Sequence, residues 1–197
     1  MKEIWDSRYK SEQYIYGIEP NIFLKEYLQK TSSGKILLPG DGEGRNAVYA
    51  AQKGWEVTAF DYSISGKEKA LNLSQKNNVN IKYLNCDVDS FVPEEKYDLI
   101  SIIYLHLPKE TRISFHNKLH NYLNENGVIL LDCFSKAQIE NNTGGPKNIE
   151  LLYSIEDIEK DFSNLEIEFI EETKIVLSEG HLHQGSANVI RLIARKN

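Results

Sequence analysis

The chain has 197 residues, of which 41% are hydrophobic and 26% are charged. This length suits a single domain with one sizeable core, and the composition is that of a globular protein rather than a disordered or fibrous one. The formal net charge of −6 argues against a protein that holds nucleic acid mainly through phosphate contacts, which need clustered lysine and arginine. The acidity is uneven, because residues 149–179 carry ten acidic side chains against two basic ones. The net charge therefore does not argue against a small anionic ligand.

Short apolar runs typical of buried strands alternate along the chain with segments of helical periodicity. A leading helix is expected through Lys30, with Pro20 in its first turn. Ser65 and Glu68 resemble a capping box at the start of a later helix. The predicted strands are residues 35–39, 55–60, 81–86, 97–103 and 127–134, and the predicted helices between them are residues 45–53, 65–76 and 109–123.

The last third of the chain changes character. Ser154 and Asp157 predict the cap of a short helix, and residues 165–177 and 186–196 are strand-like. The segment SEGHLHQG between these two strands is long for a tight hairpin. Alternating strands and helices imply parallel βαβ units with right-handed crossovers. We therefore predict an α/β fold, with a doubly wound, mostly parallel seven-stranded sheet, helices on both faces and an antiparallel closing strand.

This fold is expected to form one domain over residues 1–197, with a helical cap segment at 1–31 and the sheet core at 35–197. The two cysteines, Cys86 and Cys133, lie far apart in apolar surroundings, which favours reduced thiols and a cytoplasmic protein. No stretch approaches the roughly 18 to 20 apolar residues of a membrane span, and the N-terminus lacks the apolar run of a signal peptide. We expect neither secretion nor membrane insertion.

The most informative segment is the glycine-rich run Gly40-Asp41-Gly42-Glu43-Gly44, which follows an apolar strand and precedes a helix that begins near Arg45. Glycines let the backbone turn tightly there and leave room for a polar or anionic group beside the helix N-terminus. The spacing lacks the third glycine of the dinucleotide fingerprint, and no G-K-S/T follows, which excludes a P-loop. A purely structural turn between strand and helix is the alternative.

Acidic residues follow the next two strands. Asp61 ends the second strand, where a carboxylate can accept both hydroxyl protons of a ribose. The alternative is that Asp61 caps the following helix. Asp87 follows the third strand, where its carboxylate or the neighbouring amides can recognise an adenine edge, and an exposed loop acid is the alternative.

These features together resemble the class I methyltransferases that use S-adenosylmethionine, over about residues 5–195. Within that family, LPGDGEGRNA, YLHLP, TGGP and EGHLHQG are most similar to the small-molecule branch that contains the tellurite-resistance and thiopurine methyltransferases. The resemblance implies a Rossmann-like methyltransferase fold, S-adenosylmethionine as cofactor and S-adenosylhomocysteine as product. It also implies a small-molecule acceptor, which is a thiol, a metalloid oxyanion or an amine.

The resemblance also implies a set of cofactor contacts. Many family members carry an acid at the position of Leu38, so Asp41, Arg45 or a backbone carbonyl would have to hold the cofactor's amino group here. The implied contacts are Gly40, Asp41, Gly42, Gly44 and Arg45 with the methionine part, Asp61 with the ribose, Tyr62 with the adenine face, Asp87 and Val88 with the adenine edge, and Tyr104 after the fourth strand.

Methyl transfer from a sulfonium is an in-line displacement that mainly needs alignment and exclusion of water, so no obligatory catalytic residue is expected. His106 can take a proton from the acceptor as a neutral imidazole, or it is a structural residue. Tyr16 is a second candidate in the catalytic pocket, because a tyrosine face stabilises a sulfonium. The candidates for binding the acceptor are Tyr14, Arg8, His181 and His183.

Other possibilities stay open. A three-histidine metal site of His106, His181 and His183 would need a coincidence of the fold, so no metal is expected. The chain could instead methylate a protein or RNA, or it could be a dehydrogenase or a non-catalytic sensor on the same fold. We expect a small-molecule substrate, no nucleic-acid or membrane partner, and a monomer or homodimer.

Overall fold

The computed structural model describes residues 2–197 and the side chains from Trp5 onward, so Met1 of the predicted cap segment 1–31 lies outside the described residues. Two short 3-10 helices, Lys136–Glu140 and Ile149–Leu151, accompany the main elements. The α-helices are α1 (Lys2–Tyr9), α2 (Ile22–Lys30), α3 (Arg45–Gln52), α4 (Ile64–Lys76), α5 (Lys109–Tyr122) and α6 (Ile155–Asp161). The strands are β1 (Lys35–Pro39), β2 (Glu56–Asp61), β3 (Lys82–Asn85), β4 (Tyr97–Ile103), β5 (Leu123–Phe134), β6 (Glu166–Glu179) and β7 (His183–Arg195).

The strands form a seven-stranded sheet in the order β3-β2-β1-β4-β5-β7-β6. The pairs β1–β2, β2–β3 and β4–β5 are parallel, whereas β5 and β7 are antiparallel. The register places Leu37 beside Thr58 and Leu131 beside Leu192. This confirms the predicted fold class, with a mostly parallel sheet and an antiparallel closing strand.

The chain divides into two compact units. Unit 1 contains the described residues up to Val92 together with Glu179–Leu182, and unit 2 contains Pro93–Ser178 and His183–Asn197. The core of unit 1 includes the apolar side chains of β1, which are almost fully buried. The prediction of a single domain over residues 1–197 stays a prediction.

Side-chain caps determine where several helices begin. Ser63 caps α4 by accepting a hydrogen bond from the amide of Gly66 at 3.1 Å, so the capping box predicted at Ser65 and Glu68 is wrong. Asn21 caps α2, and Pro20 lies just before that cap rather than in the first helical turn. The capping box predicted for Ser154 and Asp157 at the start of α6 is confirmed. Helix α1 was not predicted as a separate element.

The loop expected between the last two strands is much shorter than SEGHLHQG. Strand β6 continues to Glu179 and β7 begins at His183, which leaves residues 180–182 in the turn. Gly180 has a φ of 59°, which allows this tight reversal. His183 therefore lies in a strand, and His181 lies in the turn.

Both predicted free thiols are confirmed, because neither Cys86 nor Cys133 forms a disulfide. In the part of the chain that the structure describes, no helix has the length and apolar character needed to span a membrane.

A buried charged network joins α5 and α6 in unit 2. Nε of Arg112 and Nδ1 of His116 lie 2.7 and 2.8 Å from the same oxygen, Oδ2 of Asp161. Burial lowers the pKa of His116, and its hydrogen bond to Asp161 opposes that shift. The guanidinium of Arg112 therefore depends on the Asp161 carboxylate for its buried charge partner.

We expect Asp161→Asn to lower the free energy of unfolding by about 3–5 kcal/mol, because it leaves the buried guanidinium with only its longer, partly exposed pair with Asp157 at 3.5 Å. As the control, Glu168→Gln breaks a surface ion pair with Arg195 and should cost no more than about 1 kcal/mol. Urea unfolding of both variants measures the difference. Equal losses in the two variants would contradict the importance of the buried network.

Candidate functional site

The loop between β1 and α3 in unit 1 turns on three glycines. Gly40, Gly42 and Gly44 have φ values of 64°, 58° and 85°, in the left-handed region. The amides of Gly40 and Asp41 both donate to the carbonyl of Phe60, at 2.7 and 3.3 Å, which ties the loop to β2. A Cβ on Gly42 would lie 2.6 Å from the hydroxyl oxygen of Tyr9. Glycine is therefore needed at that position for both backbone conformation and space.

Asp61 lies at the end of β2 and is hydrogen-bonded to this loop. Its Oδ2 accepts from the amide of Gly42 at 3.1 Å, and its Oδ1 accepts from the amide of Ser63 at 2.8 Å. Burial raises the pKa of Asp61 to about 6, although these hydrogen bonds act in the opposite direction. Asp61 is not the N-cap of α4, since Ser63 takes that role.

Asp41 faces the first turn of α3. Its two carboxylate oxygens accept from the side-chain amide of Asn46 at 3.0 Å and from the amide of Ala47 at 3.1 Å. Burial raises the pKa of Asp41 to about 7. The carboxyl thus satisfies donors at the helix N-terminus, and its predicted contact with the methionine part of a cofactor stays a prediction.

Arg45 points toward the N-terminal segment of unit 1. Its guanidinium donates to the carbonyls of Tyr16 and Glu19, at 3.3 and 3.2 Å, and to Oε2 of Glu179 at 2.9 Å. The guanidinium of Arg45 is therefore hydrogen-bonded within unit 1. Its predicted contact with a cofactor stays a prediction.

The carboxylate of Asp87, after β3, forms hydrogen bonds within its own loop. Oδ1 of Asp87 accepts from the amide and hydroxyl of Ser90, at 2.8 and 2.6 Å, and Asp87 itself is exposed. The neighbouring Val88 is buried, with 8% of its surface exposed. Tyr62 is partly buried, and burial raises its pKa to about 12.

The N-terminal candidates also lie in unit 1. The hydroxyl of Tyr14 donates to the carbonyl of Lys69 at 3.0 Å, and Nη1 of Arg8 donates to the hydroxyl of Tyr16 at 2.9 Å. The guanidinium of Arg8 also lies 4.5 Å from the ring centroid of Trp5. Arg8 and Tyr16 are therefore brought together, and Tyr14 contacts α4 through Lys69.

In unit 2, Tyr104 follows β4 with a φ of 51°, which is unusual for a bulky residue. Its amide donates to the carbonyl of Asp132 at 2.8 Å. Its ring stacks on Phe134 at a centroid distance of 4.6 Å and meets the edge of His183 at 5.1 Å. These contacts hold the ring in place despite the unfavourable backbone conformation.

His106 is held by two backbone groups. Nδ1 donates to the carbonyl of Leu151 at 2.6 Å, and Nε2 accepts from the amide of Phe134 at 3.2 Å. Burial lowers the pKa of His106 to about 4, so the ring is neutral at pH 7. This arrangement gives His106 a structural role and leaves no ring nitrogen for the general-base role predicted from the sequence.

The histidines of the last turn and strand differ in environment. His181 is exposed, whereas His183 is buried with 6% of its surface exposed. Among the described residues, no group of three or more His, Cys, Asp or Glu side chains is arranged to hold a metal ion.

Comparisons with known proteins agree with this geometry. Residues 36–127 match a family model described as a methyltransferase domain. A probable S-adenosylmethionine-dependent methyltransferase, TehB of Haemophilus influenzae, is 27% identical over 99 residues, covering 49% of this chain and 35% of that protein. A ubiquinone biosynthesis O-methyltransferase of Rickettsia typhi is 26% identical over 115 residues, covering 58% of this chain and 47% of that protein. This chain is thus matched to less than half the length of either relative.

Solved structures support the fold. A protein studied for the conversion of a disulfide bond into a thioacetal group in echinomycin biosynthesis has a TM-score of 0.82 and 16% identity, covering 100% of this chain and 92% of that one. TehB of Haemophilus influenzae has a TM-score of 0.75 and 18% identity, covering 100% and 67%. Residues 36–127 therefore resemble a methyltransferase domain, and the whole chain has the fold of these solved structures. A further neighbour, the magnesium protoporphyrin IX methyltransferase of Synechocystis with bound S-adenosylmethionine, has a TM-score of 0.69 and 17% identity, covering 100% and 97%.

The residues of this site fit S-adenosylmethionine, the cofactor named for TehB. An ionised carboxylate has about four acceptor sites, and the backbone amides around Asp61 leave part of that capacity for the hydroxyls of a ribose. The loop before α3 turns on glycines with positive φ at the N-terminus of that helix, where backbone amides favour a polar or anionic group. A nucleoside with a polar tail is consistent with both features.

Sequence reasoning missed two charged residues that make several contacts in unit 1. Glu43 is 4% exposed, and its Oε1 pairs with Nζ of Lys69 at 2.5 Å. The glycine-rich loop is the signal that could have found Glu43, because this residue lies between Gly42 and Gly44. Nothing in the sequence marks Lys69, because its partners lie far away along the chain.

Proposed function

We propose that this chain transfers a methyl group from S-adenosylmethionine to a small-molecule acceptor. The observation that carries the proposal is the hydrogen bond between the Asp61 carboxylate and the amide of Gly42. This hydrogen bond joins a carboxylate that can accept from ribose hydroxyls to the loop that is expected to contact the methionine part of the cofactor. The match of residues 36–127 to a methyltransferase domain supports the same assignment.

The state of His106 bears on the choice of acceptor. Because both ring nitrogens are hydrogen-bonded to backbone groups, this histidine does not take up a proton from the acceptor. The displacement then favours an acceptor that arrives with its own available lone pair, such as a thiolate, a metalloid oxyanion or a neutral amine. The name of the Rickettsia typhi relative, a ubiquinone biosynthesis O-methyltransferase, also supports a small-molecule acceptor.

Calorimetric titration should detect S-adenosylmethionine binding by the wild-type protein, and Asp61→Ala should weaken it by about tenfold or more, because hydrogen bonds to a charged group are lost. The matched control is Asp89→Ala, which removes an exposed acid of the following loop. Failure of the wild-type protein to bind, or equal binding by Asp61→Ala, would contradict the assignment.

The acceptor class is tested by release of S-adenosylhomocysteine with a panel of thiols, metalloid oxyanions, amines and phenols. The proposal predicts turnover with a member of the first three classes. Turnover only with RNA or protein offered in parallel would overturn the small-molecule assignment.

The pH dependence of cofactor binding gives an independent test. Burial raises the pKa of Asp61 to about 6, and ribose hydroxyls form stronger hydrogen bonds with its ionised form. Below pH 6, binding favours release of the proton, so the affinity should fall by up to about tenfold per pH unit as the pH decreases. Above pH 7, Asp61 is already ionised and should contribute no further change.

Calorimetry from pH 5 to 8, in two buffers of different ionisation enthalpy, counts the protons released. Asp61→Asn should remove this slope along with most of the affinity. The same slope in Asp41→Asn as in the wild type would show that Asp41, whose pKa is about 7, is not its source. A slope that persists in Asp61→Asn would contradict the prediction.

A further inference from the structure

Residues 11–19 form an N-terminal strap between α1 and α2. The strap contains no helix or strand, so its backbone polar groups need partners from elsewhere. Six of these groups bind three charged side chains outside the strap, which are Glu43, Arg45 and Lys69. These three side chains are largely buried, and buried charges need such polar partners.

Lys69 on α4 binds the first part of the strap. Its Nζ donates to the carbonyls of Ser11 and Gln13, at 2.8 and 2.6 Å, and pairs with Oε1 of Glu43 at 2.5 Å. These contacts use all three donors of an ammonium group. The ammonium also lies 4.8 Å from the ring centroid of Tyr14. Lys69 therefore connects the strap to the glycine-rich loop.

Glu43 binds the middle of the strap. Its Oε2 accepts from the amides of Ile15 and Tyr16, at 2.8 and 3.5 Å, while its side chain is only 3% exposed. Burying a carboxylate is costly, and here the cost is offset by the ion pair with Lys69 and by the two amides.

Arg45 binds the last part of the strap through the carbonyls of Tyr16 and Glu19. Its second terminal nitrogen pairs with Glu179, at the end of β6. Next to that residue, a Cβ on Gly180 would lie 2.7 Å from the amide nitrogen of Gly17. The strap is thus closely packed at this end as well.

We propose that Glu43, Arg45 and Lys69 are positioning residues that couple closure of the N-terminal strap to cofactor binding on the glycine-rich loop. Glu43 and Arg45 lie on either side of Gly44, so the conformation of the loop sets where both charged groups point. A ligand that orders the loop stabilises the closed strap, and by linkage the closed strap stabilises the bound ligand. This inference rests on the proposed cofactor site.

The test compares Lys69→Met and Glu43→Gln with the wild type, using folded protein matched by circular dichroism. Each variant should raise the dissociation rate and the KM for S-adenosylmethionine by about tenfold, because a charge-assisted contact to the strap is lost. The kcat at saturating cofactor and acceptor should change much less. Lys69→Arg keeps the cation and its donors and should restore most of the affinity.

Trypsin gives a readout of the strap itself, because Lys10 precedes it and is exposed. S-adenosylmethionine should slow cleavage after Lys10 in the wild type and not in Lys69→Met. The matched controls are Lys76→Met on the same helix and Glu12→Ala in the strap, both exposed, and both should behave as the wild type.

Unchanged cofactor dissociation in folded Lys69→Met and Glu43→Gln would overturn the coupling, even if their melting temperatures fell. Such a result would leave the cofactor site intact, because the wild-type affinity is measured in the same series. Absence of binding by the wild type would instead overturn the proposed function and this inference with it.

Discussion

The alternation of glycine with charged residues between β1 and α3 is the constraint on which the rest of unit 1 depends. The three glycines of the loop have positive φ values, and the residues that follow them are Asp41, Glu43 and Arg45. Each of these side chains is bound to a different part of the unit: the first turn of α3, the middle of the strap, and the end of the strap with Glu179. One short loop therefore organises a helix N-terminus, an irregular segment and a turn.

This arrangement explains why polar groups can be buried so close to a ligand loop. The Asp61 carboxylate and the three charged side chains of the loop are all held by backbone donors or acceptors or by opposite charges, which offsets the cost of removing them from water. The same contacts limit how far the loop can move independently of its surroundings. Pre-organisation of this kind reduces the entropy that a cofactor must pay on binding.

Much of the fold could be predicted because it depends on local patterns. The apolar runs and helical periods located the strands and main helices, and the glycine-rich loop and Asp61 were recognised from their positions at strand ends. The cap of α4 was assigned to Ser65 rather than Ser63, because two serines fit a short pattern and only the structure decides between them. The final turn was predicted too long, since strand residues continue into a polar segment.

The roles of Glu43, Lys69 and His106 could not be predicted from local patterns. Glu43 binds an amide 28 residues away, and Lys69 binds a carbonyl 58 residues away. Burial keeps the ring of His106 neutral, and both ring nitrogens are hydrogen-bonded to backbone groups of Leu151 and Phe134. No feature of the sequence near His106 indicates those partners. Such roles depend on tertiary contacts, which periodicity and motif spacing do not encode.

Hydrogen–deuterium exchange in the presence of increasing S-adenosylmethionine tests most directly whether the loop and the strap respond as one. The amides of Ile15 and Tyr16, which donate to Glu43, report the strap, and the amide of Gly42, which donates to Asp61, reports the loop. The account predicts that exchange slows at both places with the same dependence on cofactor concentration. Slower exchange at Gly42 with no change at Ile15 and Tyr16 would contradict it.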